Sequence, residues 1–218
     1  REAINHSILH HPNILPFLGI YHEEDGSPPL TIVPLIDPGS LQKALDGPLI
    51  GPHILRRILI GVSSGVAYLH SRRPPIVHGD IHPGNILIDF DHKPYLCDFG
   101  LSRIRHEVTR TRTILQEAGR PRFMAPELFK RWTTSFRTSS ASDIFSLAMT
   151  FLNVWSGRPP FHELRNDLKV MSHFRKGERP DMPTDGVALA PELTEHLWEI
   201  LCDMWAQEPD KRPSSSKV

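Results

Sequence analysis

A chain of 218 residues can bury a core of its own, and its apolar and charged fractions of 39% and 23% are ordinary for a globular domain. Lys plus Arg and Asp plus Glu both number 25, so the net charge of zero argues against nucleic-acid or membrane-surface binding driven by net charge. No apolar run is long enough to cross a bilayer, and the two cysteines lack metal-ligand spacing, which favours a reducing compartment such as the cytoplasm.

The first forty residues predict the end of a helix followed by two short strands. Residues 2–10 have helical character, which ends before Pro12 because the residue preceding a proline disfavours the helical region. The apolar run at 14–20 predicts one strand. The β-branched run at 30–35 predicts a second strand, and Pro38 and the glycine after it are expected to break it.

The rest of the chain is mostly helical by the spacing of its apolar residues. Helices are predicted from Ser40 onward and over residues 53–70, 142–155 and 193–205. Short strands are predicted at 86–88 and 95–97, on either side of a turn. A few strands followed mainly by helices predict an α+β chain with a helical lobe.

Three motifs follow one another in the middle of the chain. His78, Asp80 and Asn85 share one loop, Asp98-Phe99-Gly100 follows the next strand pair, and Ala125-Pro126-Glu127 comes after a long polar stretch. Each motif alone is weakly specific. Their order is that of the protein kinase signature, so together they are highly specific.

The chemistry of phosphoryl transfer explains this spacing. Such an enzyme needs a base that orients the acceptor hydroxyl and metal ions that neutralise the phosphates. Asp80 can serve as the base and Asn85, on the same loop, as a metal ligand. Asp98 adds a carboxylate, which is the kind of ligand that Mg²⁺ prefers.

The sequence resembles the eukaryotic protein kinase superfamily over essentially its whole length. It looks most like the tyrosine-kinase-like branch, in the form expanded in basidiomycete fungi. The stretches behind this resemblance are Arg1-Glu2-Ala3, His11-Pro12-Asn13-Ile14-Leu15, Tyr68-Leu69-His70-Ser71, Val77-His78-Gly79-Asp80 and Phe123-Met124-Ala125-Pro126-Glu127.

The resemblance implies a fold, a reaction and partners. Residues 1–36 are expected to form part of the small lobe with the start of the hinge, and residues 37–218 the large lobe. ATP and Mg²⁺ are the implied cofactors. Protein hydroxyls are the implied acceptors, Ser/Thr by branch resemblance with Tyr as the open alternative. No nucleic-acid or membrane partner is implied, and the oligomeric state is left open.

The resemblance also implies which residues surround ATP. Glu2 matches the glutamate that pairs with the catalytic lysine, although an ordinary surface glutamate on a helix is the alternative. Val33 matches the gatekeeper and Leu87 the floor of the adenine pocket. The hinge that hydrogen-bonds adenine matches residues 34–37, whose first three members are Pro34, Leu35 and Ile36.

Structural roles follow in the same way. His78 and Phe99 match two members of the stacked regulatory spine. His6 and Phe17 match the other two by position, with a plain surface histidine as the alternative for His6. Three charged residues complete the set: the helix aspartate that holds the catalytic loop, and an ion pair that closes the activation segment. They are Asp143, Glu127 and Arg212.

Three positions depart from the usual kinase pattern. Gly79 replaces the arginine that normally receives an activation-loop phosphate, so switching by loop phosphorylation is expected to be weaker. His82 replaces the lysine that touches the γ-phosphate, and Arg120 replaces a threonine. The threonines at 109, 111 and 113 are candidate phosphosites, with solvated loop residues as the alternative.

The sequence contains neither a glycine-rich phosphate loop nor a Val-Ala-Ile-Lys motif. In the family both precede the position of Arg1, so the expectation is an N-terminally truncated domain whose isolated chain binds ATP poorly and exposes apolar surface. An active protein kinase is the favoured function. A pseudokinase that acts as a binding or scaffolding module is the alternative, and a small-molecule kinase is disfavoured because the Ala-Pro-Glu segment and Asp143 build a peptide-docking platform.

Overall fold

The computed structural model describes residues 6–23, 29–47, 50–98, 120–129, 138–183 and 193–218. In those ranges the strands are β1 (Gly19–Tyr21), β2 (Leu30–Ile32), β3 (Pro38–Ser40), β4 (Ile86–Asp89) and β5 (Pro94–Leu96). The α-helices are α1 (Leu41–Leu45), α2 (Pro52–Ser71), α3 (Ser140–Ser156), α4 (Asp167–Arg175) and α5 (Glu195–Met204). This order confirms the predicted α+β class. None of the described helices is long and apolar enough to span a membrane.

The strands form two small antiparallel sheets. β1 and β2 make a hairpin, whereas β3, β4 and β5 lie side by side with β4 in the centre. The segment before β1 is tied to the second sheet, because Leu96 N donates to Asn13 O at 2.9 Å and Leu15 N donates to Leu96 O at 2.9 Å. The hairpin is thereby attached to the helical part of the molecule.

The strand predicted over residues 14–20 is wrong for most of its length. Ile14 forms a single isolated parallel bridge with Leu96, and continuous strand pairing begins only at Gly19. Ile14 and Leu15 are both buried in the core. Adjacent buried side chains do not fit a strand with one solvated face, and Pro16 has no N–H to donate to a ladder. The strand predicted over residues 30–35 is also shorter and ends at Ile32.

The predicted break at Pro38 is itself a strand. Pro38 opens β3 at the edge of its sheet, where a residue without an N–H is tolerated. Ser40 then pairs with Leu87 across the sheet and caps α1, where its Oγ accepts from Lys43 N at 3.3 Å. The short helix predicted from Ser40 is confirmed.

Two glycines let α2 approach the second sheet closely. A Cβ at Gly61 would lie 2.5 Å from Pro94 Cγ, and one at Gly65 would lie 2.9 Å from Leu96 Cδ1. Neither distance is compatible with a real side chain, so a residue with a Cβ at either position would push the helix away from β5. The helix predicted over 53–70 is confirmed, and its apolar face is buried in the core.

Helix α3 is almost wholly buried and carries one polar stripe. It is the helix predicted over 142–155, begun by a capping box between Ser139 and Ser142 and ended by Gly157 with a left-handed φ of 66°. Its buried polar residues at helical spacing are Asp143, Ser146, Thr150 and Asn153. Thr150 Oγ1 donates to Ser146 O at 2.8 Å, whereas Asn153 Oδ1 is buried without a partner within the described residues.

This orphaned oxygen generates a stability prediction. Replacing Asn153 with Leu removes a buried acceptor that makes no hydrogen bond, so we expect the free energy of unfolding to rise by about 1 kcal/mol. Thermal or denaturant unfolding of the protein measures the change. A Thr150→Val variant serves as control, since it removes a satisfied hydroxyl and should destabilise. A loss of stability in Asn153→Leu would show that the oxygen is satisfied in solution.

Candidate active site

The loop that carries Asp80 is fixed by a buried carboxylate from α3. Asp143 Oδ2 accepts from His78 N at 2.8 Å, and Asp143 Oδ1 accepts from Gly79 N at 2.8 Å. His70 Nε2, at the end of α2, lies 2.9 Å from Asp143 Oδ2. One side chain therefore joins α2, α3 and the loop.

His78 links this loop to the end of β5. Its Nε2 donates to Cys97 O at 3.0 Å, because a carbonyl can only accept, and its Nδ1 accepts from Asp80 N at 3.3 Å. Burial lowers the pKa of His78 and outweighs the charges of Asp143 and Asp80, which act to raise it. The neutral imidazole thus couples the backbone of Asp80 to the residue before Asp98.

Asp80 and Asn85 face each other across one turn of the loop. Asn85 Nδ2 donates to Asp80 O at 2.9 Å and to Asp80 Oδ2 at 3.2 Å. The 3₁₀ turn Pro83–Asn85 brings the amide back over the aspartate. The two residues predicted to share the chemistry are therefore in direct contact.

His82 stands on the other side of Asp80. Its Nδ1 accepts from Gly84 N at 2.9 Å, so its Nε2 is the donor and lies 3.6 Å from Asp80 Oδ2. Burial acts to raise the pKa of Asp80, but the polar contacts with His82, His78 and Asn85 outweigh it. The net result is a lowered pKa, which keeps Asp80 ionised at neutral pH.

Asp98 follows β5 with an unusual backbone. Its φ of 62° places a non-glycine residue in the left-handed region, which is strained and typical of functional positions. Asp98 is exposed. Burial, helped by the charge of Asp98, raises the pKa of Cys97 to about 12, so this thiol stays protonated. Phe99 and Gly100 lie outside the described residues.

Four of the residues predicted to contact adenine, 33–36, connect β2 of the first sheet to β3 of the second, and a fifth, Leu87, belongs to β4. Residues 33–36 have no regular structure, and Val33 and Leu35 are 36% and 95% exposed. Leu87 is half-buried in the centre of β4. The expected exposed apolar surface is present here and on β1 and β2. Glu2 lies outside the described residues.

His6 and Phe17 are in contact, as their positions implied. His6 is buried, so the alternative of a surface histidine is wrong. Its Nε2 donates to Leu15 O at 2.6 Å, and its ring meets Phe17 edge-on with centroids 5.6 Å apart. Whether they belong to one stack with His78 and Phe99 stays a prediction.

Glu127 and Arg212 form a bidentate ion pair. Both contacts between the guanidinium nitrogens and the carboxylate oxygens measure 2.7 Å. Arg212 also donates to Ala206 O at 2.9 Å and to Ala141 O at 2.8 Å, so it joins three segments. Its side chain is fully buried.

Two residues that contact this network, His70 and Arg179, were not assigned a role from the sequence. His70 contacts Asp143, and its signal was its place four residues after Val66 on the buried face of α2. The guanidinium of Arg179 lies 5.2 Å from the ring centroid of Phe145, and that of Arg212 lies 5.1 Å from the same centroid. Burial and the charge of Arg212 lower the pKa of Arg179 to about 10, which no local pattern indicates.

Comparison with known proteins decides the family. The family model of the protein kinase domain matches residues 1–218. The chain belongs to the protein kinase family. The predicted membership of that superfamily is thereby confirmed, and members of this family generally use ATP and a divalent metal.

Two relatives match this kinase domain over its whole length. Receptor-interacting serine/threonine-protein kinase 2 of Bos taurus is 34% identical over 228 residues, which cover 100% of this chain and 41% of the relative. Mitogen-activated protein kinase kinase kinase 11 of Homo sapiens is 28% identical over 228 residues, which cover 100% of this chain and 25% of the relative. The chain therefore spans less than half the length of these relatives.

The ion pair of this kinase domain gives a second stability prediction. In Glu127→Gln the buried guanidinium of Arg212 loses its only charged partner among the described residues, so we expect destabilisation by about 3 kcal/mol. Chemical denaturation measures this change. Glu208→Gln, at an exposed position four residues before Arg212, is the control and should change stability by less than about 0.5 kcal/mol. Equal effects would contradict a buried anchoring pair.

Proposed function

We propose that this protein transfers the γ-phosphoryl group of ATP to hydroxyl groups of proteins. The observation that supports it most is the contact of Asp80 with Asn85 on a loop held by Asp143. Phosphoryl transfer depends mainly on positioning and electrostatic stabilisation, and this loop supplies a carboxylate and an amide at fixed separation.

In this proposal Asp80 is the base. Its lowered pKa keeps it ionised at neutral pH, so it can accept a hydrogen bond from the acceptor hydroxyl and then its proton. His82 Nε2 and Asn85 Nδ2 flank the carboxylate and restrict its rotation. The hydroxyl oxygen attacks the γ-phosphorus, and the bond to the ADP leaving oxygen breaks.

Asn85 and Asp98 are the proposed ligands of Mg²⁺. In the part of the chain that the structure describes, both hydrogen bonds of the Asn85 side chain use its nitrogen, which leaves Oδ1 as the ligating atom. Together with the exposed carboxylate of Asp98, it offers the oxygen ligands that this cation requires. When bound, Mg²⁺ neutralises charge on the phosphates.

The nucleotide-binding assignments are part of the same proposal. Leu87 lines the adenine pocket, residues 34–37 with Pro34, Leu35 and Ile36 form the hinge, and Val33 is the gatekeeper. The support for residues 33–36 is that they connect β2 of the first sheet to β3 of the second without strand pairing of their own, and the support for Leu87 is its half-buried position in β4 opposite Ser40. Glu2 is proposed to pair with a catalytic lysine.

The finer classification is likewise inferred. We assign the protein to the tyrosine-kinase-like branch of basidiomycete type, acting in the cytoplasm on Ser/Thr acceptors. The names of the relatives, which include receptor-interacting serine/threonine-protein kinases, support the branch and the acceptor. Residues 1–36 and 37–218 are proposed as small-lobe and large-lobe segments.

A pseudokinase is the second candidate because three positions depart from the usual pattern. Gly79 has a φ of 84°, and a Cβ there would lie 3.2 Å from Thr138 Cγ2, so an arginine would be crowded. His82 is engaged with Gly84 and Asp80, and Arg120 is exposed. A protein without transfer activity would have kept Asp80 and Asn85 for the fold alone.

Labelled phosphate transfer from Mg-ATP to a generic protein substrate tests the proposal in the full-length protein. We expect transfer to phosphoserine or phosphothreonine, and a loss of at least about 100-fold in Asp80→Asn because the base is removed. Asp98→Asn should also lose activity.

Asp91→Asn, in the exposed turn between β4 and β5, is the matched control and should retain wild-type activity. Equal transfer by wild type and Asp80→Asn, or no transfer from folded protein, would favour the pseudokinase.

A further inference from the structure

Arg120 is an exposed cation beside the catalytic loop. Its Nη2 lies 3.6 Å from the point that a Cβ on Gly84 would occupy, so the guanidinium rests against the bare backbone of that glycine. No hydrogen bond or ion pair engages Arg120 within the described residues. Its charge is therefore available to a ligand.

The glycine is what permits this approach. A Cβ at Gly84 would also lie 2.7 Å from His82 Cε1, closer than real Cβ atoms come to a neighbour. His82 in turn lies 3.6 Å from Asp80 Oδ2 and packs against Phe123, with ring centroids 5.9 Å apart. Asp80, His82 and Arg120 therefore lie next to one another in that order, along one edge of the loop.

That edge borders an open groove of about 720 Å³, formed by α1, the segment from Arg120 to Phe123 and the loop before α4. Four charged residues line it: Asp46, Arg120, Arg122 and Asp167. The groove is open to solvent, so it suits an extended peptide better than a small molecule, which would need an enclosed pocket.

Three of these four charges are already engaged. Arg122 Nε pairs with Asp167 Oδ1 at 3.0 Å, and its remaining nitrogens donate to backbone carbonyls of Pro160, Phe161 and Leu164. Asp46 Oδ1 accepts from Gln42 Nε2 at 3.0 Å. Among the described residues, Arg120 is the lining charge that makes no hydrogen bond or ion pair, and it lies beside Gly84 of the loop that carries Asp80.

We propose that this groove binds the acceptor segment of the protein substrate and that Arg120 selects segments with an Asp or Glu close to the acceptor hydroxyl. A guanidinium can bind a carboxylate through two parallel hydrogen bonds, a geometry that neutral or basic side chains do not offer. The inference rests on the proposed kinase function, because it names the substrate class of the same site. Arg120 is a specificity-determining residue in this account.

Reversing the charge of the peptide or of Arg120 tests this proposed preference for acidic segments. Peptides that are identical except for Glu, Gln or Lys next to the acceptor serine are compared by kcat/KM with the full-length protein at low salt. We expect the Glu peptide to be preferred over the Lys peptide by about fivefold, the range of an exposed charge pair. Arg120→Glu should reverse the order, and Arg120→Gln should abolish it.

Arg56→Gln, an exposed arginine on α2 away from the groove, is the control and should keep the wild-type preference. Equal kcat/KM for all peptides, or an unchanged preference in Arg120→Glu, would overturn the inference.

A binding measurement separates this inference from the proposed activity. Fluorescent peptides with the acceptor serine replaced by alanine are titrated with the same variants by anisotropy. Charge-dependent binding that reverses in Arg120→Glu, without phosphate transfer by any variant, supports the groove and refutes the kinase activity. Transfer with no charge dependence in either assay supports the activity and refutes the role of Arg120.

Discussion

The carboxylate of Asp143 lies in the interior with 0% exposure, and the geometry of the candidate site depends on how that group is stabilised. Desolvating a carboxylate is strongly unfavourable unless donors replace the lost water. Two backbone N–H groups and the His70 ring do so. The backbone at His78 and Gly79 is therefore held where the carboxylate needs it, and the rest of the loop follows.

The same principle recurs around α3. Arg212 is also buried and is satisfied by Glu127 and by the carbonyls of Ala141 and Ala206, so the Ala-Pro-Glu motif is fixed to the start of the helix. Thr150 reaches the loop at Ile81 O, 3.5 Å away. An apolar helix with a few satisfied polar groups can thus position loops on its surface without being exposed itself.

The helices were predictable because their apolar residues recur at regular helical spacing over many residues, as over 53–70 and 142–155. The strands were less predictable, since β1 and β3 have three residues each and are determined by partners far along the chain. Ile14 and Leu15 resemble a strand by composition, but the segment that contains them makes only two backbone hydrogen bonds to Leu96 of β5 among the described residues. Local propensity carries little information for such short segments.

The candidate site was predictable in its members and not in its contacts. Asp80, Asn85 and Asp98 follow from motif order, whereas the engagement of His82 by Gly84 and the exposure of Arg120 against that glycine depend on tertiary packing. His6 shows the same limit, because its burial depends on Leu15 and Phe17 rather than on its neighbours in sequence.

Amide hydrogen exchange at His78 and Gly79 tests the central claim that Asp143 fixes the loop that carries Asp80. In Asp143→Asn we expect these two amides to exchange about tenfold or more faster, since a charged acceptor is lost, while amides inside α2 keep their protection. Asp203→Asn, at an exposed position of α5, is the control. Unchanged exchange at His78 and Gly79 in folded Asp143→Asn protein would show that the loop is held by other contacts and would contradict the account.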